Sequence, residues 1–163
     1  MQGHQDDTSG VVGSAATGLR TAAAWLSIAA GLVHGANVQE HLREWWGYGL
    51  FFALAAVVQI GYGIVLLVRP WRWDERGGVR TDLEAVRGAD RRFLLIGVGL
   101  NVPLIALWAV TRTVGIPFLG PEAGEVEPVT AVSMVAKLLE AALIACAVWY
   151  LRASRKPGAA TPR

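Results

Sequence analysis

The residues of this sequence that could do chemistry fall into two sets. His34 and His41 are seven apart, so on one helix they point within about 20° of each other, with Asn37 and Trp45 on the same stripe. Two imidazoles on one face can ligate a divalent metal ion if a third ligand joins them. The acidic run GPEAGEVE at 120–127 offers Glu122, Glu125 or Glu127 for that place, and His34, His41 and Glu127 form the candidate metal set. Seven residues span about 10 Å along a helix axis, too far for two side chains to share one ion. The metal reading therefore needs a helix break between the histidines, and Gly35 permits one. In the plainer reading His34 hydrogen-bonds a neighbouring helix and His41 sits solvated at the helix end. Proton or ligand handling is the third reading.

The second set is Gln59, Asn101, Lys137 and Glu140, each inside an apolar stretch. An ionisable group at membrane depth costs several kcal/mol unless it is paired or hydrated. Lys137 and Glu140 are three apart, adjacent on a helix surface, and can pair. The spacing predicts a polar cluster of Glu140, Lys137, Asn101 and Gln59 that opens toward His34. Such a cluster is either interhelical glue or a proton-coupled or small-ligand pocket. A haem held between membrane helices normally takes histidines from facing helices, whereas His34 and His41 share one segment and His4 lies in the N-terminal tail; this argues against haem. No nucleophile–base constellation is visible, which argues against an enzyme. The single cysteine, Cys146, excludes an intrachain disulfide or a CxxC motif.

The elements that must position these residues are membrane helices. Of 163 residues, 53% are hydrophobic and 17% charged, where a soluble domain carries about 25% charge; the mean hydropathy is +0.40. Four stretches are long and apolar enough to cross a hydrocarbon core about 30 Å thick: roughly 20–38, 46–68, 93–110 and 129–151. The fold expected is all-α, a four-transmembrane-helix bundle of up-down topology over residues 18–152. Tails at 1–17 and 153–163, rich in Gly, Ser, Ala and Pro, are expected to be disordered. Residues 1–19 contain no Lys or Arg and carry Asp6 and Asp7, unlike the basic start of a cleaved signal peptide, so the first stretch is read as retained.

Lys and Arg set the orientation. Arg20, the 69–92 loop and the C-tail hold twelve, while the two opposite loops hold only Arg43 and Arg112. Under the positive-inside rule both termini and the 69–92 loop are cytoplasmic. The net charge of +2 does not point to nucleic acid, because the basic residues flank apolar runs and face lipid headgroups. Trp45, Trp46, Tyr48, Trp71, Trp73, Trp149 and Tyr150 lie at span ends, as interface anchors do. Thr81-Asp82-Leu83-Glu84 has capping-box spacing and predicts a short helix leading to the third span. Ser27, Gly31 and Gly35, spaced by four, predict close helix packing. Pro103 predicts a kink in the third span.

The run from Gly31 to Gln59, with VH, QEH and EWWGYGLFF, resembles an uncharacterised group of small four-helix integral membrane proteins of high-GC bacteria. The segment TRTVGIPFLGPEAGEVE and Glu140 resemble that group's later signatures, so the likeness covers roughly residues 20–150. It implies a multi-pass protein of the bacterial inner membrane. It draws attention to His34, Glu40, His41, Arg112, Gly115, Pro117, Gly120, Pro121, Glu127 and Glu140, and supplies no activity. Where such proteins often carry an acidic residue early in the fourth helix, this chain has Ser133.

The function expected is a small polytopic membrane protein with an outward-facing polar, metal-binding site. The alternatives are a non-catalytic accessory subunit of a membrane complex and a small-ligand or proton-coupled transporter component. The partners expected are the lipid bilayer and a second copy or a membrane partner protein, with no nucleic acid.

Overall fold

In a computed structural model the described residues are 5–118 and 120–154, with side chains from residue 14 onward. They form five α-helices and no strand: α1 (Gln5–Ala36), α2 (Val38–Glu44), α3 (Trp46–Val68), α4 (Leu83–Thr113) and α5 (Ala131–Ala153). Four of them, all but α2, contain segments long and apolar enough to cross a membrane. This is the makeup of a small polytopic membrane protein, an all-α four-helix bundle.

Two boundaries differ from expectation. Helix α1 reaches back to Gln5, through residues expected to be a disordered tail; no proline interrupts that stretch, and a helix continues where nothing breaks it. Helix α4 is continuous from Leu83, so the short lead-in helix and the third span are one element. Its N-cap is Asp82, whose carboxylate accepts from the Glu84 and Ala85 amides, rather than Thr81. The helix also runs on through Pro103. Residues 155–163 of the expected C-tail lie outside the described residues.

Pairings between helices fix their sense. Arg20 donates to the Leu66 carbonyl and Ser27 to the Gln59 carbonyl, so α1 and α3 run antiparallel. Arg69 reaches Asp90 while Gln59 reaches Asn101, so α3 and α4 run antiparallel too. Helix α1 packs along both α3 and α5, and α4 leans on α5, while α3 and α4 touch only sparingly. Close approach of α1 to α3 depends on Gly31. A Cβ there would stand 2.8 Å from Ile60 Cγ1 and 2.9 Å from the Ala56 carbonyl oxygen, distances that backbone cannot yield cheaply.

The bundle is apolar outside and holds the polar side chains of its spans between the helices. Val57 is 70% exposed and Gln59, two residues on and across the helix, 1%. Such a distribution fits lipid as solvent, where outward apolar side chains cost nothing and inward polar groups must find one another. The core at the arginine-rich end is apolar, built on Ala23, Ala24, Leu66, Leu94, Leu143 and Ala147.

Candidate functional site

The buried polar network lies near the middle of the bundle. Glu140 on α5 is fully buried. One carboxylate oxygen accepts from Lys137 Nζ at 2.6 Å and the other from Gln59 Nε2 at 3.2 Å. Gln59 also donates to Asn101 Oδ1 at 3.0 Å, and Asn101 donates onward to the Gly97 carbonyl. The four residues expected to cluster are therefore one hydrogen-bonded unit, supplied by α3, α4 and α5.

His34 joins it from α1. Its Nδ1 is 2.9 Å from the Ala30 carbonyl. A carbonyl can only accept, so Nδ1 carries the proton. Nε2 is thereby left facing Glu140 Oε1 at 3.6 Å. A neutral imidazole presents a lone pair there, toward a carboxylate oxygen. A proton on either group makes the contact attractive. The site holds a base, a carboxylate and an ammonium in contact, away from solvent.

The helix breaks between the histidines, as their sharing one ion would require. Asn37 stands between α1 and α2, its side-chain amide returned to the Val33 carbonyl at 2.6 Å. The break does not assemble the expected ligand set. Both imidazoles pack on Phe52, with ring centroids 5.5 Å away for His34 and 3.8 Å for His41. Glu127 pairs with Arg112 at 2.6 Å. Among the described residues, no group of three His, Cys, Asp or Glu side chains comes together to hold a metal ion.

At this end of the bundle lies a cavity of about 760 Å³. Its walls come from α2 and the start of α3 on one side and from the end of α4 and the start of α5 on the other. Leu50, Phe51, Phe52, Leu104, Leu107 and Trp108 make it largely apolar, and His34, Ala136 and Lys137 form the surface nearest Glu140. Ile116, Glu122, Glu127, Pro128 and Thr130, from the α4–α5 connection, also line it. The Glu127 amide donates to the Thr111 carbonyl, and Gly115 turns with φ +72°, where a Cβ would press on the Glu125 carbonyl. Ser133 is the N3 partner of the Thr130 cap that starts α5.

Three residues that line this cavity each carry a buried polar atom with no protein partner: His41 Nδ1, Trp108 Nε1 and Arg112 Nε. Sequence reasoning assigned Trp108 no role. A second cluster was also missed. Asp90 receives Arg69 Nε at 3.0 Å and Trp71 Nε1 at 2.9 Å, with Trp71 stacked on Phe93 at 4.1 Å. This clasp ties the α3–α4 connection at the arginine-rich end. Its one signal in the sequence is an acid, Asp90, among the arginines that flank the third span.

Compared with protein-family models, with curated proteins and with solved structures, the chain matches none.

Proposed function

We propose that the protein binds a small amphipathic ligand in the cavity between the ends of α3 and α4, over the protonatable His34–Glu140–Lys137 network. The observation that carries this reading is the continuity of the two. A 760 Å³ space with apolar walls ends at His34 and Lys137, both in contact with the buried Glu140 carboxylate. Ligand sites combine that volume, an apolar lining and a few convergent polar groups, and titratable groups brought together in a concavity mark such a site. Glue alone would not require the helices to part above it. The twelve-to-two split of Lys and Arg supports an orientation with the cavity on the outer side of a bacterial inner membrane.

The test is saturable binding of ten-carbon amphipaths to protein in lipid nanodiscs, read by native mass spectrometry. Ala136, nearly buried on the cavity wall, is the lever. One bound molecule per wild-type chain, lost in Ala136→Trp, is the result expected. Binding that survives this filling, or no saturable binding in wild type, overturns the proposal.

A further inference from the structure

The three unpartnered atoms and the charges around them narrow the ligand's head group. We infer that the cavity takes a neutral, carbonyl-bearing amphipath, a ketone, ester or quinone head on an apolar tail, with Trp108 and Arg112 as donors to its oxygen. This deepens the pocket reading above and rests on it.

Trp108 and Arg112 line the cavity, and Trp108 Nε1–H and Arg112 Nε–H, which can only donate, are buried without an acceptor in the protein. The Arg112 guanidinium carbon lies over the Trp108 ring, 5.9 Å from its centroid, so the two side chains are neighbours. A buried donor without a partner costs about 1–3 kcal/mol, and a ligand oxygen placed there removes that cost. His41 Nδ1, the third such atom, serves as donor or acceptor according to its tautomer. The head must therefore present an acceptor.

Charge decides which kind of acceptor. The two cations on the cavity are already paired, Arg112 with Glu127 and Lys137 with Glu140. Glu40, Glu44 and Glu122 also line it, leaving the mouth net negative. An anionic head would enter against those carboxylates with both cations committed. A cationic head suits the mouth but offers nothing to the two donors. A carbonyl oxygen satisfies the donors and meets no like charge. The apolar tail lies against Leu104 and Leu107 and the facing α3 side chains, where α3 and α4 touch only sparingly and bilayer lipid can reach the cleft.

Three probes of matched chain length separate the head groups: methyl decyl ketone, decanesulfonate and decyltrimethylammonium. Each is titrated into wild-type protein in nanodiscs, with Trp108→Phe, which removes the N–H and keeps a ring, and Arg112→Lys, which removes Nε and keeps the charge for Glu127. The ketone binds tightest, and each variant weakens it about three- to tenfold, as loss of one hydrogen bond does, while leaving the charged probes unmoved. A ketone that binds no tighter than the sulfonate or the ammonium overturns the head-group assignment. So do variants without effect on ketone binding in protein of wild-type thermal stability. If Ala136→Trp abolishes binding of a charged probe that outcompetes the ketone, the pocket stands and the head group is wrong. If no probe binds saturably, both fall.

Discussion

His34 and Glu140 meet inside the bundle, Nε2 to Oε1 at 3.6 Å, from the first and the last of the described helices. Lys137 holds the other carboxylate oxygen at 2.6 Å. The carboxylate thus lies between the Lys137 ammonium and the His34 imidazole. An arrangement serving adhesion alone would need only the Lys137 pair and the Gln59–Asn101 amides. The imidazole adds a group that can change charge next to the cavity.

Pairing predicts the behaviour of charge deletions. Glu140→Gln leaves the Lys137 ammonium buried without a counter-charge, and breaking a buried pair this way costs about 3 kcal/mol. The variant still folds, with a lower unfolding midpoint in mild detergent. Adding Lys137→Gln removes the stranded charge and recovers more than half of the loss. A double variant no more stable than the single would place the stabilisation elsewhere.

Helix contact predicts a contrast between two glycines. Gly31→Leu drives a side chain into Ile60 and the Ala56 carbonyl and costs about 1–3 kcal/mol. At Gly35 an added Cβ stands 3.6 Å from Ala56 Cβ, ordinary contact, so Gly35→Ala stays within about 0.5 kcal/mol of wild type. Thermal unfolding of the two variants side by side checks this. Equal stability would mean that α1 meets α3 through another face.

The arginine-rich end gives a third expectation. Asp90→Asn weakens acceptance from Arg69 and Trp71 and lowers stability by about 1–3 kcal/mol. Because Trp71 stacks on Phe93 through this clasp, its emission shifts toward that of a solvated indole. An unchanged spectrum with unchanged stability would make the clasp incidental.

Orientation is tested separately. A reporter fused after Ala123 in the 114–130 connection gives an outer signal, and one within 69–92 an inner signal, from the twelve-to-two Lys and Arg distribution. The reverse pattern would turn the cavity toward the cytoplasm.

Much of this was legible in the sequence, and physics explains which parts. The second span, 46–68, coincides with α3 (Trp46–Val68), because apolar length and an interfacial tryptophan mark both its ends. The polar cluster was legible because Gln59, Asn101, Lys137 and Glu140 stand out against apolar neighbours, and such groups converge in lipid. His34 was legible as the residue toward which that cluster opens, and it meets Glu140 there. The spacing of seven puts His34 and His41 on one side, and both rings pack on Phe52, with His34 also reaching Glu140. Glu127 was expected as a ligand and is the ion-pair partner of Arg112 instead, since nothing in a loop's sequence fixes where its fold returns. The cavity itself was not legible, because it arises from how far apart α3 and α4 stand and not from any one residue.

The most direct measurement is the reactivity of a cysteine at Ala136, in a Cys146→Ser background, with Leu143→Cys as the buried reference. Ala136 lines the cavity and Leu143 lies within the apolar core. A small methanethiosulfonate reagent added outside intact cells should modify the cysteine at 136, methyl decyl ketone should slow that reaction, and the cysteine at 143 should stay unmodified. An unreactive Ala136→Cys, or one whose rate the ketone leaves unchanged, would contradict a ligand-holding cavity above Glu140.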